Sequence, residues 1–413
     1  MPSTSTLRIA WRNLGRNRKR SLLALGAIAV GQLAFLSTTA LLNGYGEQFL
    51  NSVTGPMVGH IQVHATGWRD DRSIDLALGE IDAVLADIRQ HPQVDHASAR
   101  VFAPALAALA TDGLMSMVVG VQPDAESHPT GLLSGERLTG KLGSHRVLVG
   151  SGLARKHDMA PGMEIAVIGQ DVDGAIANDL FTVSDVIDTP VAVVNSLGIV
   201  MSLDDAQELF LMPNQAHEIV IHVKDREILD DTAARLSRLP LLTHAEVLTW
   251  QQIAPEILTF VNFIGVYKFI ILSIVFIAAA AGIANTMLMS TFERTHEFGM
   301  LLSLGCGPGR LSKIIAVEAV IVGLLGVVVG TALGLGLVSL TSESGIDYAA
   351  LGGSGSAYEI DYKGLRFTSH VYPAIVASDV IAGVVAVFIT SIIAVIWPML
   401  HIVRLQPMEA MRS

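Results

Sequence analysis

Apolar positions follow two rhythms along this chain. Four runs, 21–43, 267–290, 314–340 and 380–400, are apolar almost without interruption. Each reaches the roughly 20 residues that a helix needs to cross the hydrocarbon of a bilayer. The first run exceeds the short core of a secretory leader, and Leu41-Leu42-Asn43 offers no small-residue cleavage site, so it is expected to be a retained span. Between the first and second runs, segment 44–266 changes character. "VGHIQVHA", "RVFAPALAAL", "LMSMVVGV", "MEIAVIG", "LFTVSDVI", "GIVMSL", "HEIVIHV" and "AEVLTW" read as strands, and Leu78, Ile81, Val84, Leu85 and Ile88 mark one face of a helix. Ser202 is placed to cap a helix starting near Asp204, and a further helix is expected over 227–238. The pattern is that of a large α+β domain, with a turn-rich middle, about 125–195, read as an inserted lobe.

The rhythm also predicts stalks. From Gln251 to Met289 the only helix breaker is Pro255, so the second span is expected to project about 18 Å beyond the bilayer at about 1.5 Å per residue. The end of the first span, through Gln48 and Leu50, is expected to do the same. At the start of the chain, Leu7, Ala10, Trp11 and Leu14 oppose Arg8, Arg12 and Arg16 at helical spacing. Residues 1–20 therefore read as an amphipathic helix lying in the headgroup layer.

Composition sharpens this reading. The 413 residues are 51% hydrophobic and only 16% charged, with mean hydropathy +0.51, whereas a soluble protein usually carries about 25% charge. The net charge of −11 disfavours a general nucleic-acid binder. Its distribution sets the topology. Residues 1–20 hold six Lys and Arg, 290–313 three and the tail 401–413 two, while 43–266 holds 13 basic and 29 acidic residues. Positive charge marks the cytoplasmic side, so both termini and the segment 291–313 are expected in the cytoplasm. The domain 44–266 and the loop 341–379 are then expected outside.

Catalytic chemistry has little to stand on. "GERLTGKL" (135–142) departs from a phosphate loop at Leu142, where a hydroxyl belongs, and "RTHEFG" lacks the second histidine of a zinc protease motif. Gly150-Ser151-Gly152 is too short for a nucleophile elbow. Ten of the 13 histidines lie in 43–266, but spacing gives the pair His60 and His64 no third partner, so no metal is expected. The single cysteine, Cys306, sits in a Gly/Pro turn without a His or CxxC partner and reads as a small loop residue. Lys268 is placed to snorkel outward, and Glu318 is placed to meet water, headgroups or a base such as Lys313. Gly323, Gly326, Gly330 and Gly334 give the third span a smooth face for close helix packing. The chain thus has spans and an outer domain but no catalytic centre or cofactor of its own.

The informative stretch is "ANTMLMSTFERTHEFGMLLSLGCGPGRLSKIIAVEAVIVGLLG" (284–326). Glu293 and Glu297 lie one helical turn apart, followed by apolar Phe298, Met300 and Leu301, before Gly305, Gly307, Pro308 and Gly309 reverse the chain. A short exposed helix with acids and an apolar knob suits a groove on a cytoplasmic partner. Asn285, Met287, Ser290, Glu293, Arg294, Glu297, Phe298, Gly299, Leu304 and Gly305 resemble, position by position, the FtsX-like signature of the MacB superfamily (type VII) of ABC transporter permeases. "LRIAWRNLGRNRKRS" and "RLQPMEAMR" look similar to that family too, and "GHIQVHATG", "DGAIANDLFTV" and "FTSHVYP" resemble its lipoprotein-releasing LolC/LolE-like branch.

The resemblance implies four transmembrane helices and a two-lobed periplasmic core-like domain. It implies a second permease chain, identical or not, and a separate cytoplasmic ATPase pair that would hold the ATP and Mg. Phe292, Glu293, Arg294, Glu297, Phe298, Gly299, Met300, Leu301 and Gly305 would then form the helix that seats on the ATPase. A lipid-anchored cargo would enter between the first two spans, near Phe35, Val266 and Ile270. The expected role is a non-catalytic inner-membrane permease subunit for lipoprotein release or export, with a periplasmic lipoprotein carrier as a further partner. The alternatives are efflux with a periplasmic adaptor and FtsX-like signalling to a cell-wall hydrolase.

Overall fold

The computed structural model describes residues 18–109, 112–134, 141–347 and 370–403, the short strands 360–362 and 365–367, and positions 8, 11 and 12. Most of the amphipathic N-terminal segment, most of "GERLTGKL" and the tail 404–413 lie outside the described residues. The chain divides into two compact units, one of 1–47, 260–352 and 370–413, the other of 48–259 and 353–369.

Helix α1, Arg18–Val53, opens the chain's regular structure. Its 36 residues span about 54 Å at about 1.5 Å each, well beyond a hydrocarbon layer of about 30 Å. The second unit then runs β1 (Ile61–Ala65), α2 (Ile81–Gln90), β2 (Val94–Leu109), β3 (Asp112–Val121), α3 (Pro123–Glu126), β4 (Arg146–Gly150), α4 (Ser151–Lys156), β5 (Glu164–Gln170) and β6 (Ile176–Ile187). It continues through α5 (Ala192–Leu197), β7 (Gly198–Ser202), α6 (Leu203–Leu209), β8 (Glu218–Val223), α7 (Leu229–Leu236), β9 (Ala245–Thr249) and α8 (Trp250–Ile253). Helix α2 forms because Ile81, Val84, Leu85 and Ile88 recur on one face, and all four are buried. Ser202 caps α6 by accepting a hydrogen bond from the Asp205 amide.

These strands form one nine-stranded sheet, in the order β3-β7-β4-β6-β5-β2-β8-β1-β9, with β3 also paired to β2. That extra pairing closes β2, β3, β7, β4, β6 and β5 into a ring. The 16-residue β2 makes this possible. Its first half pairs with β8 and residues 106–108 pair with β5, while β3 runs along residues 100–109. The middle of the domain is therefore not set off as an independent lobe over 125–195. It borrows β3 and half of β2 from the flanking sequence and ends at Ser202, because one strand is long enough to serve both halves. Strands β8 and β1 are central, so all of β8 and most of β1 are buried.

Helix α9 (Pro255–Glu293, 39 residues) follows, then α10 (Thr295–Ser303), α11 (Pro308–Ser342) and α12 (Ala377–Val403). With α1, helices α9, α11 and α12 are long and apolar enough to cross a membrane. The first unit's core joins Ala24 and Ile28 of α1 to Ile283 and Met287 of α9, Ile315 and Val322 of α11, and Val387 and Val395 of α12.

Candidate functional site

Among the described residues, chemistry gathers at two ends of the membrane unit and around a cavity in the sheet unit. The first is the turn between α9 and α11. Helix α10 ends in a motif set by Gly305, whose φ of 86° suits glycine. The Gly305 amide donates to the Leu302 carbonyl at 3.0 Å and the Cys306 amide to that of Leu301 at 2.9 Å, which satisfies two carbonyls at the helix end. Phe298 does not project as a knob. It is only 2% exposed and packs in the bundle core, with half-buried Leu302 and Cys306 against the same cluster. Gly299 is buried as well, whereas Phe292, Glu293, Met300, Leu301 and Leu304 are exposed. An apolar helix of nine residues has two faces, and Phe298 belongs to the inward one.

Arg294 links this turn to the third span. Its Nε lies 3.2 Å from Glu297 and its Nη1 3.5 Å from Glu318, and its guanidinium stands 5.0 Å over the Phe298 ring. Glu318, buried on α11, therefore meets Arg294 in the preceding turn; no pairing with Lys313 is needed to explain its position.

The second place is at the other end of the spans. Lys268 does not simply snorkel: its Nζ pairs with Asp379 at 3.0 Å, and Asn43 Nδ2 donates to the same carboxylate at 2.8 Å. Three helices thus share one polar knot. The signal available in the sequence was one polar residue at the matching edge of each of three spans. Phe35 is 2% exposed, whereas Val266 and Ile270 are exposed on α9. The structure therefore does not bring the three expected entry residues together on one open surface.

The spaced glycines of α11 do meet neighbours. A Cβ on Gly326 would lie 2.8 Å from Ile28, one on Gly330 2.5 Å from the Ala29 carbonyl oxygen and 2.7 Å from Gln32 Cβ, and one on Gly334 3.1 Å from Leu36. Gly323 faces Ser391 of α12 instead. The seam between α1 and α11 therefore depends on missing side chains. Gly330→Leu is expected to force the helices apart and cost at least the ~1–3 kcal/mol of core overpacking, read as a lower melting temperature of the purified chain in detergent. Gly336→Leu, where nothing lies within 4 Å, is the matched control and should melt as the parent does.

In the sheet unit a cavity of about 410 Å³ opens among apolar Phe102, Met117, Leu132, Val194 and Ile257, with Arg69, Arg72, Arg100 and Glu218 contributing charge. Arg100 and Glu126 form a bidentate pair, Nε to Oε1 at 2.6 Å and Nη2 to Oε2 at 2.8 Å. The Ser98 hydroxyl and the Leu132 amide donate to the same carboxylate at 2.6 and 2.7 Å. Burial opposes charge on Glu126, but Arg100 and these donors hold its carboxyl below the usual range. Glu218 is left with the poorer geometry, 3.6 Å from Arg100 Nη1, and its Oε1 has no hydrogen-bond partner among the described residues. Burial pushes it up to about 7 despite Arg100.

The sequence pair His60 and His64 is split. His60 accepts from the Val223 amide at 3.0 Å, while His64 bonds Gln62 at 2.9 Å and stacks on Trp68. Burial lowers both imidazoles to about 4, so they are neutral at physiological pH.

Comparison with known proteins places this geometry. Residues 21–239 match the MacB-like periplasmic core domain and residues 269–407 the FtsX-like permease C-terminal family. The chain is 25% identical over 358 residues to a macrolide export ATP-binding/permease protein MacB of Burkholderia lata, covering 81% of this chain and 50% of that protein. It is 23% identical over 418 residues to the lipoprotein-releasing system transmembrane protein LolC of Neisseria meningitidis, covering 95% of this chain and 94% of that one. The chain spans half or less of the length of the MacB proteins it matches. A crystal structure of the periplasmic region of MacB from Actinobacillus actinomycetemcomitans covers 48% of this chain and 91% of that one at 11% identity, with a TM-score of 0.34. On the two family matches, which together take in both the sheet unit and the spans, the chain belongs to the MacB/FtsX type of ABC transporter permeases.

Proposed function

We propose that this chain is the permease subunit that couples a separate cytoplasmic ATPase pair to movement of its outer domain, and that its cargo is a lipid-anchored protein leaving the inner membrane. Supporting the coupling role is an exposed row made of Phe292 beside Glu293 at the end of α9 and of Met300, Leu301 and Leu304 on and just past α10, the helix that Phe298 pins into the bundle. A partner seated on that row would push on the spans through a rigid element. ATP and Mg would bind in the partner, and a second permease chain would complete the transporter. Both termini would face the cytoplasm, as the basic residues of 1–20 and 401–413 favour.

Cargo choice is favoured by the alignment over 94% of LolC's length. Drawing an acyl chain out of the bilayer costs about 0.8 kcal/mol per CH₂, so several chains at once call for work of the size that ATP supplies. The 25% identity to MacB favours a second reading, efflux through a periplasmic adaptor. The double variant Met300→Asp/Leu301→Asp is expected to lose co-purification with the ATPase and to lower coupled ATP hydrolysis by more than 10-fold, with normal membrane levels. Unchanged association and hydrolysis would remove the coupling assignment. Reconstituted complex should release a lipidated protein to a soluble carrier, and not its unlipidated form. Export of a small macrolide without lipoprotein release would decide for efflux.

A further inference from the structure

We propose that Asp95, His96 and His128 form a binding site for a zinc-class divalent ion on the sheet unit. These three side chains present ligand atoms that all lie within 4.8 Å of one another. Asp95 Oδ2 is 3.2 Å from His96 Nδ1 and 3.9 Å from His128 Nε2. Metal bonds of about 2.0–2.1 Å in a tetrahedron separate neighbouring ligand atoms by about 3.3–3.4 Å and imidazole centroids by about 5 Å. The His96 and His128 centroids lie 3.9 Å apart, so opening that ring pair by about 1 Å brings all three ligand atoms into register.

Backbone geometry explains how adjacent residues reach one ion. On a regular strand Asp95 and His96 would point to opposite faces. The pairing of β2 with β8 is interrupted between Val94 and His96, and a bulge of this kind re-aims a side chain. His128 arrives from the turn after α3. The outward nitrogens are held as well. Thr130 Oγ1 lies 3.1 Å from His96 Nε2 and 3.2 Å from His128 Nδ1, so when His96 Nδ1 and His128 Nε2 ligate the ion this one hydroxyl, with two lone pairs, can accept from the N–H of both rings. His222 stacks on His96 at 4.3 Å and 7°, holding the ring plane without joining the ligand set. The Asp95 and His128 side chains are 45% and 40% exposed, which leaves an entry path and a fourth position for water. Two imidazoles and one carboxylate favour zinc-class ions over magnesium or calcium. Bound there, the ion ties the start of β2 to the segment that carries Glu126 and Leu132.

The test uses the full chain in detergent, with any affinity tag removed and with chelator washed out, titrated with ZnCl₂ at pH 7 against a chromophoric competitor. One equivalent per chain is expected, with an affinity on the order of micromolar or tighter, and a raised melting temperature. Asp95→Asn and His128→Gln should each weaken binding by more than about 100-fold, and Thr130→Val by about 10–100-fold. His157→Gln, outside the cluster, should bind as the parent does, and magnesium and calcium should not compete. His128 is exposed enough that its variant is expected to fold, which far-UV circular dichroism checks. Zinc retained equally by the His128 and His157 variants, or no stoichiometric binding by the parent, overturns the site.

Discussion

A Glu126→Ala variant is expected to lose roughly 3–5 kcal/mol of stability in the sheet unit, the range for removing one partner of a buried ion pair. Domains of this kind hold only about 5–15 kcal/mol in total, so this change brings the unit close to unfolding. Arg100 is 2% exposed and Glu126 fully buried. Two of the Arg100 nitrogens and the donors of Ser98 and Leu132 point at the carboxylate that the variant deletes. Glu218 offers no equivalent, since it stands farther off and its carboxyl titrates near 7. Urea unfolding of the full chain, followed by tryptophan fluorescence, to which buried Trp68 and Trp250 of the sheet unit contribute, measures the loss. The double variant Arg100→Met/Glu126→Leu should recover much of it, because no charge is then left behind. The pH dependence has a definite sign. Glu126 titrates lower in the fold than in the unfolded chain, so its contribution is present above the ordinary carboxylate range and fades as pH falls through its depressed value. The gap between parent and variant should therefore narrow in acid. A gap under 1 kcal/mol at pH 7 would show that the pair contributes little.

How much of this was legible in the sequence depends on the range of the interaction. Local periodicity placed Ile81, Val84, Leu85 and Ile88 on one buried face, and composition alone marked four long apolar helices. Pairing across the chain was not legible. Nothing in the spacing of β2 says that its second half closes a ring with β5 and β3, and Lys268 meets Asp379 only because the fold brings residues 111 positions apart together. The turn between α9 and α11, proposed above for coupling, was legible as a segment but not as a surface. Phe298, Met300 and Leu301 are equally apolar in sequence, and only the bundle decides that Phe298 turns inward. The histidines follow the same rule: spacing singled out His60 with His64 and gave the pair no third partner, whereas a bulge at Asp95 and a turn at His128 bring Asp95, His96 and His128 together.

Arg294 is where the segment and the bundle meet, and, on the coupling role proposed above, Arg294→Met is expected to uncouple the transporter while leaving the exposed Met300 and Leu301 in place. The guanidinium sits between Glu297 on the short helix and Glu318 on the third span, over the ring of Phe298. Removing it takes the cation from a buried carboxylate, which costs toward the lower end of roughly 3–5 kcal/mol because Arg294 is itself partly solvated. It also frees the turn to tilt without carrying α11 with it. Coupled ATP hydrolysis and cargo release should fall more than 10-fold, with ATPase co-purification retained, which separates this variant from Met300→Asp/Leu301→Asp. Charge removal and coupling are then distinguished by a double-mutant cycle. Arg294→Met/Glu318→Gln should regain thermal stability, since neither charge remains buried, but should stay uncoupled if the ion pair is the mechanical link. Recovery of transport together with stability would mean that Arg294 serves only to neutralise Glu318, and that the packing of Phe298 transmits the motion by itself.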